Sequence, residues 1–161
     1  MEITPQQFLA KSRNSLFRYI ILAGLVAGSL DALAAIFILS HGNAAPIFRF
    51  ISSGIYGNKA FTGGTGMVLL GVALHYFIAF SFTIFYFAIS GYLPVFKKNI
   101  FLSAIIYGVF IYVVMNVIVF SLCNVHISHR TIIGIIRNSA ILMVCVAFPI
   151  VYSKKIYDSR S

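Results

Sequence analysis

The sequence predicts an all-α protein: a four-helix transmembrane bundle with an N-terminal and an outer-loop interfacial amphipathic helix. Three observations predict it. Hydrophobic residues make up 60% of the chain and charged residues 9%, against about 25% charged in soluble domains. The apolar residues gather into four runs, about 18–40, 66–90, 99–122 and 131–153, each long enough for the roughly 20 residues of a spanning helix. Basic residues cluster mainly around the ends of these runs. The net charge of +9 therefore reads as contact with anionic headgroups rather than with nucleic acid. One domain, 1–161, accounts for the whole chain.

The N-terminal helix is expected over about 5–17. Thr4 can cap it, Pro5 suits the first turn and Gln7 completes a capping box. Phe8, Leu9, Leu16 and Phe17 are its apolar side, with Lys11, Arg13 and Arg18 as the basic side. The run that follows is too long for a signal-peptide core and lacks a cleavage site, so it is expected to stay.

An even number of spans puts both termini on one side. Lys11, Arg13, Arg18, Lys97, Lys98, Lys154, Lys155 and Arg160 lie on that side, and Arg49, Lys59, Arg130 and Arg137 on the other. The excess of basic residues places both termini in the cytoplasm. Tyr19, Tyr92, Tyr152 and Tyr157 fit an aromatic belt on the same face.

The longest connection, about 41–65, contains a helical pattern over about 46–56. Ile47, Phe48, Ile51 and Ile55 make its apolar side; Arg49, Ser52 and Ser53 make its polar side. An interfacial helix on the outer face is expected, either a plain connector or a lid over the outer mouth of the bundle. Gly57, Gly63, Gly64 and Gly66 lead into the second run. No Gly-Lys-Ser/Thr ending follows them, so a phosphate loop is excluded.

The chain has three acidic residues. Glu2 and Asp158 lie in the tails, and Asp31 lies inside the first apolar run, where a carboxylate costs several kcal/mol unless protonated, paired or hydrated. Gly24, Gly28, Asp31 and Ala35 share one helical face built of small residues, which allows close helix approach. His75 lies on a comparable face between Gly71 and Ala79, with Tyr86 further along. Gly108, Tyr112 and Asn116 form a stripe on the third run. Counted at about 1.5 Å per residue, Asp31, His75, Asn116 and Arg137 all fall in the outer half.

One polar layer is thus expected. Asp31 and His75 would exchange a proton there, Arg137 would supply positive charge, and Asn116 and Tyr112 would contribute polar contacts. The rival reading is a structural lock, with Asp31 paired to Arg137 or His75. Gly24, Gly28, Gly71 and Gly108 are the expected packing glycines.

Cys123, His126 and His129 recur at spacings of three in the second outer loop, with His41 on the same side. Thiolate and imidazole suit Zn or Cu, but no paired Cys-x-x-Cys or His-Glu-x-x-His is present, and histidines at a membrane interface are the commoner explanation of such a pattern. Haem is not expected, because His75 alone lies well inside a run and a two-histidine site would need a second protomer. Cys123 and Cys145 fall in different segments and do not read as a disulfide framework.

Gly24-x-x-x-Gly28, His75 with Tyr86 eleven residues on, Ala60-Phe-x-Gly-Gly64 and Met115-Asn116 together resemble the YagU-like family of small four-helix bacterial inner-membrane proteins. The resemblance implies a bacterial inner-membrane location and no particular chemistry. The residues themselves leave two functions open. One is binding or transport of a small solute or proton. A homodimer is compatible with that first reading; the other is a structural or accessory role, docking another membrane protein through the small-residue faces. No nucleophile is paired with a base at catalytic spacing.

Overall fold

The computed structural model describes residues 5–119 and 131–160, which form helices and turns with no strand among them. Helix α1 runs Pro5–Ala34 and continues through a π-helical stretch, Ala35–Leu39. Then come α2 (Ala44–Tyr56), the short α3 (Lys59–Thr62), α4 (Thr65–Ile89) and the short α5 (Val95–Lys98). Helix α6 (Ile100–Val113) runs on as a π-helical stretch, Val114–Val119. The last helix is continuous: α7 (Ile132–Ile141), a π-helical stretch over Leu142–Ala147, and α8 (Phe148–Arg160).

Three of these helices are long and apolar enough to cross a membrane: Ser15–Leu39, Thr65–Ile89 and Ile132–Arg160. Ile100–Asn116 is a shorter apolar helix. Asparagine and threonine side chains cap the starts of three helices. Asn43 accepts from the Ala45 amide, Asn99 from Phe101 and Leu102, and Thr131 from Gly134. Gly57, at φ 56°, ends α2 in a conformation that a side chain would resist.

Helices α1 and α4 pack antiparallel through the small-residue face. The Phe80 ring lies over Gly24, Tyr76 and Ala79 lie against Gly28, and Ser29 shares a 2.9 Å hydrogen bond with Tyr76. Helix α8 returns along the start of α1. Ser153 donates to the Tyr19 carbonyl, Arg160 donates to the Tyr19 hydroxyl at 3.2 Å, and the Tyr19 and Tyr157 rings meet at 5.6 Å. Between them lies a core of Ala23, Ala27, Tyr86, Tyr107, Ile111, Ala147 and Ile150. The outward surface is as apolar as the core: Phe37, Leu69, Phe77, Phe101, Ile133 and Val144 are each at least 65% exposed. A water-soluble monomer rarely shows so large an apolar surface.

The observed elements correct the sequence reading in three places. Residues 5–17 are not a separate surface helix but the first turns of α1, because nothing between Gln6 and Ile20 breaks a helix. The last helix does not stop near 153; it continues to Arg160, where an i,i+4 Lys154–Asp158 ion pair supports the final turns.

The third correction is the orientation of α2. Ser52 and Ser53, expected to be wet, are buried, while Ile55 is 63% exposed. Their hydroxyls are satisfied internally. Ser52 donates to the Met67 carbonyl at 2.5 Å, and Ser53 to the Phe50 carbonyl at 2.6 Å. Helix α2 therefore packs along α4, with Ser52 beside Met67 and the Phe48 backbone directly against Gly71, rather than lying free on a surface.

Candidate functional site

The site begins with the close approach of α1 and α4. Gly28 has no side chain, so its carbonyl is reachable from the neighbouring helix. His75 reaches it with an Nε2–H donated across 2.8 Å. That bond fixes the imidazole: Nε2 carries a proton, and Nδ1 is the nitrogen left to accept or to be protonated. The ring is held on two further sides, by Phe48 from α2 at 6.1 Å and by Tyr76 at 5.5 Å, both edge-on.

Asp31 follows Gly28 by three residues and so projects from the same face of α1. Asp31 and His75 both line a cavity of about 370 Å³. The imidazole is near enough to act electrostatically on the carboxylate. No hydrogen bond or ion pair to that carboxylate exists among the described residues. Asp31 thus borders the cavity without a locking partner among the described residues.

Five elements supply the walls: Gly28 and Asp31 from α1, Ile51 and Ile55 from α2, Leu74 to Phe82 from α4, Ile111 and Met115 from α6 and its π stretch, and Leu142 and Val146 from the π stretch before α8. Apart from Asp31 and His75, the lining is almost wholly apolar. The one other side-chain polar group, the Ser53 hydroxyl, is already committed to Phe50. Two of the three π-helical stretches reach the cavity, and the third begins one turn beyond Asp31. Such stretches widen a helix and shift its register, and they recur at functional sites. Cys145, in the stretch before α8, is not in the lining.

The expected polar layer is therefore reduced to two members. Arg137 is exposed on α7 and absent from the cavity, so it is not the partner of Asp31. Asn116 donates to the Tyr112 carbonyl of its own helix at 2.9 Å, and neither residue lines the cavity. The four glycines all sit at close approaches: Gly24 under Phe80, Gly28 under Tyr76, Gly71 under the Phe48 backbone and Gly108 under Met143. Cys123, His126 and His129 lie outside the described residues. Among the described residues no group of three metal-ligating side chains occurs.

Sequence reasoning missed the apolar walls, Leu74, Ile78, Phe82, Ile111 and Met115 among them. A leucine facing an internal cavity and one facing lipid are indistinguishable in a run of apolar residues. Only the register set by Gly28 and Asp31 points toward them. No family model matches the chain, and neither the curated proteins nor the solved structures gave a match.

Proposed function

We propose that the protein is a four-span integral protein of the bacterial inner membrane, with both termini cytoplasmic, that binds a small solute in the cavity beside Asp31 as the binding step of a carrier. The observation that carries this reading is the convergence of α1, α2, α4, α6 and the last helix on one internal cavity with a carboxylate in its wall that has no hydrogen-bond or ion-pair partner among the described residues. A carboxylate at membrane depth marks a functional site by default, and one that only locked helices together would have spent its hydrogen bonds on them. The fourth span is α6. From Ile100 to Val119 it extends about 30 Å, the thickness of a bilayer core. Asp31 lies about 12 Å below the end of its helix at Leu39, and α2 walls the approach from the outer side. An accessory role is less well supported, because the small-residue faces that would dock a partner are filled within the chain by Phe80, Tyr76, Phe48 and Met143.

Reagent access tests the reading. In a variant with Cys123 and Cys145 replaced by serine, Leu74→Cys should react with a small impermeant thiol reagent added outside intact cells. Phe77→Cys, at similar depth but 69% exposed toward the outer surface of the bundle, should not. We expect a rate difference of about tenfold or more, in line with burial in lipid. Equal, negligible labelling of both would mean that solutes do not reach the cavity.

A further inference from the structure

The chemistry of the cavity wall specifies its ligand more narrowly than size does. We propose that the cavity takes a small lipophilic organic cation, an amine or quaternary ammonium group on an apolar body, with Asp31 as its counter-charge. This rests on the solute-binding reading above and names the class of solute.

The charge inventory of the lining excludes the alternatives in turn. Among the described residues Asp31 is the one acidic residue of the lining, and no lysine or arginine belongs to it: Arg49 of α2 and Arg137 of α7 are both absent. An anion would meet the Asp31 carboxylate with no lysine or arginine in the described lining to offset it, and His75, its Nε2–H given to the Gly28 carbonyl, has only Nδ1 left to turn toward a ligand. A sugar or other polyhydroxylated solute would lose many hydrogen bonds to water and regain very few, as the Ser53 hydroxyl is already bonded to Phe50. A metal cation would need an oxygen cage of about six ligands, and the lining supplies one carboxylate. A proton alone needs no cavity of about 370 Å³, a volume at the lower end of small-molecule sites.

What remains fits on both counts. Ile51, Leu74, Ile78 and Met115 would cover an apolar body. Phe82 also belongs to the wall, and aromatic faces attract desolvated ammonium groups. A carboxylate left bare in such surroundings is costly, so the site gains most from a ligand that brings its own positive charge.

The test uses full-length protein in lipid nanodiscs and two probes of one shape: benzyltrimethylammonium and its uncharged carbon isostere, neopentylbenzene. The cation should bind the unmodified protein at least about tenfold more tightly than the isostere, and Asp31→Asn should remove most of that advantage while leaving the isostere within about twofold. The second measurement needs no variant. Dicyclohexylcarbodiimide, which adds to carboxyl groups in apolar surroundings, should modify Asp31, and the cation but not the isostere should slow the modification severalfold. The chain has only two other acidic side chains, so the adduct is readily mapped by mass.

Equal affinity for the two probes, unchanged cation affinity in Asp31→Asn, or modification of Asp31 at the same rate with and without the cation would each overturn the cation assignment. Isostere binding with no preference for the cation would do so while sparing the solute-binding reading. Failure of both probes to bind, together with an unreactive Leu74→Cys, would remove that reading as well.

Discussion

Gly71→Leu should unseat α2 from α4 and destabilise the protein by about 3 kcal/mol or more, the upper range for forcing extra atoms into a packed contact. The reason is geometric. A side chain at Gly71 would collide with the Phe48 carbonyl oxygen, carbonyl carbon and Cα, which are backbone atoms that no rotamer change can move. Other glycines offer graded comparisons. At Gly24 the obstacle is the Phe80 ring, which can turn aside, so Gly24→Ala should cost less. Gly64 faces open space, so Gly64→Ala should be close to neutral. Denaturant unfolding in detergent would rank the three. Because Ile51 and Ile55 reach the cavity from α2, Gly71→Leu should also change the reactivity of Leu74→Cys. A fold unaffected by leucine at this position would mean that α2 does not rest on α4.

Tyr107→Ala should cost about 3–5 kcal/mol, the usual loss for removing a large buried ring. Tyr107 is 1% exposed, its ring meets Tyr86 at 4.6 Å and stacks near Phe110 at 5.7 Å, and its hydroxyl donates to the Phe82 carbonyl at 2.5 Å. One side chain thus ties α6 to α4 by both packing and a hydrogen bond. Tyr107→Phe separates the two contributions. It keeps the ring and loses the hydrogen bond, which is worth about 1 kcal/mol. A small loss for both substitutions would indicate that α6 and α4 are not held together there.

The helices were legible because length and hydropathy alone define them, and the packing face of α1 was legible because Gly24, Gly28 and Asp31 share it by simple periodicity. Two kinds of information were not. Counting residues gives depth but not rotation. Arg137 matched Asp31 in depth, yet it points away from the bundle. Rotation is also disturbed by π-helical stretches, each of which shifts the register of everything beyond it, and nothing in Leu142–Ala147 announces one. The second gap was the sense of polarity. Ser52 and Ser53 looked like a water-facing side, but a hydroxyl that bonds a nearby carbonyl is self-sufficient and can be buried. Ile55 is 63% exposed and also borders the cavity, so an apolar side chain does not mark the inner side of this helix. The apolar cavity wall left no trace of its own in the sequence, since Leu74 and Phe77 read alike although one faces inward and the other outward.

The account rests most directly on Asp31 and His75 sharing one internal site, and nitrogen-15 NMR of histidine-labelled protein measures that. The chain has four histidines, so His75→Gln assigns the signal. We predict that His75 shows a protonated Nε2, as its bond to Gly28 requires, and that Asp31→Asn shifts its Nδ1 resonance while Asp158→Asn does not. A His75 signal identical in the unmodified protein and in Asp31→Asn would contradict the account, placing the carboxylate and the imidazole in separate environments.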